Sequence, residues 1–113
     1  MWQLHCDHGW SGSLFVSNHG GDSNDAEIKT IEGLTPDGEL TEVQDAFITE
    51  GGVQCGFCTP GLVVAIEHLL DNNQNPSEIQ IKEAISGNIC RCTGYGRIFE
   101  AVQTAVATRR AGK

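Results

Sequence analysis

The sequence is poor in basic residues and has none of the long apolar runs that membranes require. Seven Lys and Arg stand against 15 Asp and Glu, a formal net charge of −8, and no basic cluster offers a footprint for nucleic-acid phosphates. No apolar run approaches the ~20 residues of a membrane span, and no signal-peptide pattern opens the chain. We therefore expect no nucleic-acid or membrane partner and a cytoplasmic location.

Aromatic residues are also scarce, at 6% of 113 residues, whereas glycine is abundant at 14. A chain of this length suits one domain and buries roughly two-thirds of the surface that its unfolded form exposes. The core is therefore modest. We expect metal binding to supply part of the folding free energy.

Cysteines are few, but they are grouped. Four of the five lie in two short segments, residues 54–61 (QCGFCTPG) and 87–95 (GNICRCTGY). An odd total and a Cys-x-Cys pair are poorly suited to internal disulfides, which disfavours a secreted disulfide scaffold. Two close pairs of thiols indicate a tetrathiolate centre, and the spacing alone fits zinc and an iron–sulfur cluster equally well.

The chain divides into an N-terminal segment without clear pattern and a helical remainder. Residues 1–26 show no sustained periodicity, which predicts an irregular or disordered leader. Cys6 lies there with His5, His8 and His19, but the spacing matches no recognised ligand set. Residues 27–113 form the predicted domain, and they open with a short extended segment.

Four short helices follow from the apolar spacing and the capping residues. The first starts at Thr41 with a capping box to Gln44. The second has Thr59 as its predicted N-cap, and the third has Asn75 as its N-cap with a proline at the first helical position. The fourth keeps a regular 3.6-residue period up to Arg109, which we expect at a solvated helix end.

The helix order predicts an all-α, four-helix bundle-like domain with both cysteine segments at one end. Helices two and three lie between the cysteine pairs, so an up-and-down hairpin returns the chain to its starting end. Cys58 just precedes a helix N-terminus, where the positive end of the dipole favours thiolate over thiol.

The two segments and the layout between them closely resemble the iron–sulfur subunit of the xanthine oxidase family of molybdenum hydroxylases. The likeness runs from about Glu27 to Ala105. It implies a helical [2Fe-2S]-binding domain in which four cysteines hold the single cluster nearest the molybdenum cofactor. By position, Gln54 and Cys92 would contact the pterin. The implied cluster ligands are Cys55, Cys58, Cys90 and Cys92.

The resemblance implies electron transfer rather than catalysis in this chain. Substrate would be hydroxylated in a large molybdopterin-binding subunit, and electrons would leave through the cluster, toward a flavin subunit or a chain supplying a second [2Fe-2S] cluster. The plant-type ferredoxin domain that usually precedes this domain is missing, which favours a truncated fragment and, if an export signal was lost, a periplasmic origin. The alternative function is a zinc-stabilised helical interaction module without redox activity.

Overall fold

The computed structural model describes residues 3–6, 11–14, 28–35 and 37–112, with side chains described from residue 30 onward. Four α-helices follow one another after a short 3-10 helix at Ile31–Leu34. They are α1 (Glu42–Thr49), α2 (Thr59–Asn72), α3 (Glu78–Ile85) and α4 (Gly96–Ala111). The predicted four-helix, all-α domain is confirmed, and a small sheet adjoins it.

The sheet is antiparallel and has three short strands in the order β2-β1-β3. Strand β1 (Gln3–Cys6) pairs on one side with β2 (Ser11–Leu14) and on the other with β3 (Ile28–Lys29). The third strand matches the short extended segment expected at the start of the domain. The other two lie inside the segment predicted to be irregular, whose remaining residues are not among those described.

Local capping explains where the helices begin, with two differences from the sequence-based expectation. Thr41 and Gln44 form the predicted capping box of α1. The N-cap of α3 is Ser77, which forms its own capping box with Gln80, so the predicted cap at Asn75 is wrong. A two-bond box satisfies two backbone donors, which is one more than a single Asn cap provides.

The second difference concerns α2. This helix begins one residue earlier than expected, so that Cys58 itself is the N-cap and Thr59 the first helical residue, followed by Pro60. Proline fits the first turn because the N–H that it lacks would have no partner within the helix. The first cysteine segment therefore runs directly into the most buried helix of the domain.

The core lies between the helices and reaches the cysteines. Helix α1 runs antiparallel to α4, since Glu42 at its start contacts Arg109 and Glu50 at its end accepts a hydrogen bond from Thr104. Cys58 and Cys90 belong to the same buried cluster as the apolar side chains. Its fully buried members include Val43, Leu62, Ile66, Ile98, Ala101, Val102 and Ala105.

Arg109 ties three helices together at the end of the bundle remote from the cysteines. Its guanidinium lies 2.6 Å from Glu67, 3.2 Å from Glu42 and 3.4 Å from Asp71. The side chain of Arg109 is only 13% exposed and that of Glu67 only 6%. The expectation of a solvated helix end is therefore wrong for Arg109, because carboxylates on α1 and α2 enclose it.

Among the described residues, no helix combines the length and apolar character needed to cross a membrane.

Candidate metal centre

The structure brings together the four cysteines that the sequence singled out. Sγ of Cys92 lies 3.5 Å from Sγ of Cys55, and the thiols of Cys58 and Cys90 are joined by a hydrogen bond. None of the four is in a disulfide. The sulfurs thus form two pairs, and each pair takes one cysteine from each loop.

The two pairs differ in exposure. Cys55 and Cys92 are exposed, whereas Cys58 and Cys90 are buried at 6% and 8% relative exposure. The outer pair therefore faces solvent, and the inner pair rests on the apolar core. A group held by all four would be anchored on one side and accessible on the other.

Backbone geometry shapes the first loop, which joins α1 to α2. Gly56, between the two cysteines, has a φ of 83°, a conformation that side chains with a Cβ rarely adopt. The chain then enters α2 at Cys58, so the position of this sulfur is fixed by a buried helix. The backbone path of the first loop thus depends on a glycine and on the start of a helix.

Side chains hold the second loop, which joins α3 to α4. The hydroxyl of Tyr95 accepts a hydrogen bond from the Cys90 N–H at 2.8 Å and donates to the Asn88 carbonyl at 3.1 Å. Oγ1 of Thr93 lies 3.1 Å from Sγ of Cys90. Tyr95 has a φ of 71°, and among the described residues it is the single non-glycine with a positive φ. The cysteine loop is therefore clasped by the residues that follow it.

The inner pair has strongly unequal thiol pKa values. Burial, followed by its hydrogen bond to Cys90, raises the pKa of Cys58 to about 11. Burial acts in the same direction on Cys90, but hydrogen bonds from the side chain and backbone of Thr93 outweigh it and lower the pKa of Cys90 to about 7. The expectation that the helix N-terminus favours thiolate at Cys58 is therefore wrong, since desolvation prevails there.

The outer pair is also unequal. The Phe57 backbone N–H, and after it the thiol of Cys92, lower the pKa of Cys55. The same contact with Cys55 raises the pKa of Cys92. In each pair, therefore, one thiol has the lower pKa: Cys55 in the outer pair and Cys90 in the inner pair. A metal bound by either pair would meet two sulfurs already in contact.

The donor set fits a two-iron cluster. A [2Fe-2S] cluster takes four thiolates, two on each iron, and the paired arrangement supplies them as two pairs. The N–H and hydroxyl donors near Cys90 suit the negative charge that such a cluster carries with its thiolates.

The two cysteine loops also expose a polar amide and two apolar side chains. Gln54, the predicted pterin contact, is exposed directly before Cys55. Phe57 and Ile89 are 69% and 64% exposed and flank the buried cysteines in sequence. Large apolar side chains exposed beside a functional site are typical of a surface that meets another protein.

Two residues of the site went unassigned in the sequence analysis. Thr93 and Tyr95 were part of the second motif, but no role was predicted for either side chain. The available signal was a threonine three residues after Cys90, a spacing at which a hydroxyl can turn back onto a preceding side chain. Cys6 and His5 lie in β1, outside both cysteine loops in the sequence, while His8 and His19 are outside the described residues.

Comparison with known proteins gives a consistent result. The family model described as the [2Fe-2S] binding domain matches residues 30–103. The nicotinate dehydrogenase small FeS subunit of Eubacterium barkeri is 45% identical over 76% of this chain and 55% of its own length. The nicotine 6-hydroxylase small subunit of Paenarthrobacter nicotinovorans is 38% identical over 91% of this chain and 68% of its own length.

A solved structure extends the likeness to the fold. The aldehyde oxidoreductase of Desulfovibrio gigas superposes with a TM-score of 0.86 and 35% sequence identity. The match covers 98% of this chain and 12% of that one. These matches reach into the segment that precedes residue 27. The chain nevertheless spans only about half the length of relatives such as the Eubacterium barkeri subunit.

Proposed function

Because this chain belongs to the [2Fe-2S] binding domain family, we propose that it holds one [2Fe-2S] cluster and relays electrons from a molybdopterin centre in a larger partner chain. The observation that carries the proposal is the convergence of two cysteine pairs from loops far apart in sequence. Four thiolates arranged two by two match what the cluster needs. The chain would act as an electron-transfer component and contribute no catalytic residue.

The proposed ligands would hold the cluster on two sides, one buried against the core and one exposed to solvent. The cluster, when bound, supplies a one-electron redox couple. Cys58 and Cys90 would hold it against the apolar core, while Cys55 and Cys92 would hold its exposed side. The buried pair excludes water from one face, and the exposed pair leaves a short path for an electron to enter or leave.

The exposed side is where we place the molybdopterin subunit. Gln54 and Cys92 are both exposed there, so the amide and the ligand sulfur are available to a pterin. An amide offers donors and an acceptor to the edge of a heterocycle. Phe57 and Ile89 give the same surface apolar area that a protein partner would cover. Docking on this side would bring the molybdenum centre close to the cluster.

Further partners and location follow from the same proposal. The relatives are named as small subunits of nicotinate dehydrogenase and nicotine 6-hydroxylase, and subunits of that kind act in complexes. A flavin subunit, or a chain with a second [2Fe-2S] cluster, would accept the electrons. Four closely spaced cysteines without a disulfide suit a reducing compartment, so we place the protein in the cytoplasm.

Anaerobic reconstitution tests the cluster. The full chain, supplied with iron and sulfide, should turn brown, contain two irons and two sulfides per chain, bleach on addition of dithionite and then give an EPR signal from one cluster. A colourless protein with one zinc per chain after purification from metal-replete cells would overturn the proposal and identify the zinc-stabilised module.

A second experiment tests the partner. Co-expression with a molybdopterin subunit encoded beside this chain should give a complex that co-purifies through a tag on either chain. Charged substitutions at the proposed docking surface, Phe57→Asp and Ile89→Asp, should reduce co-purification while leaving the cluster absorption intact. Ile79→Asp is the matched control, since Ile79 is equally exposed on α3. Equal losses with all three variants would contradict the placement.

A further inference from the structure

A chain of hydrogen bonds leads from the start of α4 to one cysteine sulfur. The Tyr95 N–H donates to Oγ1 of Thr93 over 3.2 Å, and the same oxygen lies 3.1 Å from Sγ of Cys90. The Thr93 N–H also points at this sulfur, at 3.5 Å. Cys90 thus has a side-chain donor and a backbone donor from a single residue.

Metal binding fixes the direction of this chain. A cysteine bound to a metal is a thiolate, so it has no proton to donate and can only accept. The Thr93 hydroxyl has one proton, and the Tyr95 N–H already occupies part of the acceptor capacity of its oxygen. In the loaded protein the hydroxyl therefore donates to Cys90, as a charge-assisted hydrogen bond.

Tyr95 positions both members of this contact. Its N–H orients the Thr93 hydroxyl, and its own hydroxyl takes the Cys90 N–H and bonds the Asn88 carbonyl. Tyr95 has a left-handed backbone, φ 71°, which is unfavourable for a residue with a Cβ. A strained conformation held by three hydrogen bonds is typical of a positioning residue.

The first cysteine loop has the same residue type without the same contact. Thr59 follows Cys58 directly, yet in the described part of the chain its buried Oγ1 has no hydrogen-bond partner. Two threonines therefore stand close to two buried cysteines, and only one of them donates to sulfur. This difference makes the two sides of the inner pair chemically unequal.

We propose that Thr93, oriented by Tyr95, tunes the reduction potential of the cluster by donating its hydroxyl hydrogen bond to Cys90. The inference rests on the proposed function, since it requires a redox cluster on these cysteines. Adding an electron increases the negative charge on the ligand sulfurs, so a donated hydrogen bond stabilises the reduced state more than the oxidised state. Thr93 would therefore raise the potential.

The test is an EPR-monitored redox titration of the full chain with its cluster reconstituted. Thr93→Val keeps the side-chain shape and the backbone donor but removes the hydroxyl, and it should favour the oxidised cluster by about tenfold, a shift of about 59 mV to more negative potential for a one-electron couple. Thr93→Ser should restore the wild-type potential. Thr59→Val is the matched control and should leave the potential unchanged.

Several outcomes would overturn the inference. An unchanged potential in a fully loaded Thr93→Val chain refutes it while leaving the proposed function intact, and so does an equal shift in Thr59→Val. A wild-type chain that binds no cluster refutes the proposed function itself. If Thr93→Val does not take up the cluster, resonance Raman spectra in D2O provide the test. The Fe–S stretching bands of the wild type and of Thr93→Ser should shift on hydrogen–deuterium exchange. The absence of any shift contradicts the proposal.

Discussion

The two ends of the helical bundle are both rich in polar contacts, but they satisfy them differently. At one end, the single positive charge of Arg109 is surrounded by three carboxylates from α1 and α2. At the other end, four thiols meet in two pairs, and one of them, Cys90, also contacts the hydroxyl of Thr93. Helix α2 separates the two by ~18 Å, from Thr59 to Asp71 at 1.5 Å per residue.

This difference assigns separate tasks to the two ends. The ionic end is enclosed, because carboxylates from two other helices hold the Arg109 guanidinium, and its loss should appear in the free energy of unfolding. The thiol end is open, because four sulfurs retain their capacity to bind metal, and its loss should appear in cofactor content. Variants at the two ends should therefore separate changes in the free energy of unfolding from changes in cofactor content.

Removal of a buried ligand should have the largest effect. Cys90→Ser replaces a sulfur of the inner pair. Loss of a residue that only hydrogen-bonds to a metal ligand typically lowers metal affinity by roughly tenfold or more, and cluster occupancy should fall further than that in this variant. Iron and sulfide analysis with visible absorption measures it, and circular dichroism should show that the helices of the metal-free chain persist. Cys6→Ser, in β1 outside both loops, should retain full occupancy; a similar loss in both variants would contradict the four-ligand assignment.

Breaking the ionic end should destabilise the fold without emptying the metal site. Arg109→Gln leaves Glu67 buried without its partner, and we expect a loss of about 2–3 kcal/mol in the free energy of unfolding, somewhat less than for a fully encased pair. Urea denaturation of the metal-free chain measures it.

Neighbouring variants sharpen this test. Arg110→Gln should change stability by less than about 0.5 kcal/mol, because Arg110 is exposed and, among the described residues, its hydrogen bond is a long one of 3.5 Å to Asn75. Glu67→Gln should cost less than Arg109→Gln, since it leaves no buried charge unpaired. Equal effects for Arg109 and Arg110 would mean that the ionic cluster does not hold the helices.

The two ends were unequally predictable from the sequence. The cysteine end was recognisable because the spacing within each cysteine pair is local, and the capping box of Thr41 and Gln44 could be placed because its two residues are three positions apart. Arg109 was misjudged because its partner Glu42 is 67 positions away in the chain. A pairing over that distance depends on how α1 packs on α4, which periodicity does not specify.

Within the cysteine end, the sequence located the four cysteines but not their chemistry. The pKa order of Cys58 and Cys90 depends on which thiol is desolvated and which receives the Thr93 hydrogen bonds. Helix position alone predicted a thiolate at Cys58. The left-handed backbone of Tyr95 was equally hidden, because an aromatic residue next to two glycines gives no sign that it, as well as Gly94, adopts a positive φ.

The clasp of the second loop should have an intermediate effect that involves both readouts. Tyr95→Phe removes the hydrogen bonds to the Cys90 N–H and the Asn88 carbonyl, and we expect a loss of about 1–3 kcal/mol in stability together with faster loss of the cluster to a chelator. Phe57→Leu, an aromatic change at an exposed position of the first loop, should alter neither quantity. A Tyr95→Phe chain that matches wild type in both would show that the clasp is not needed.

The smallest effect should come from a pair of glycines that differ only in backbone conformation. An added Cβ would meet nothing within 4 Å at Gly94 or at Gly96. Gly94 has a φ of 65°, whereas Gly96, the first residue of α4, does not have a positive φ. Gly94→Ala should therefore destabilise the chain by about 1 kcal/mol, while Gly96→Ala should stabilise it by about 0.5 kcal/mol, because alanine restricts the unfolded chain more. Thermal denaturation of the metal-free and loaded forms measures both changes. Effects of the same sign would show that the space around the added Cβ, rather than the backbone conformation, decides the stability of this loop. The second cysteine pair would then be held more loosely than its hydrogen bonds indicate.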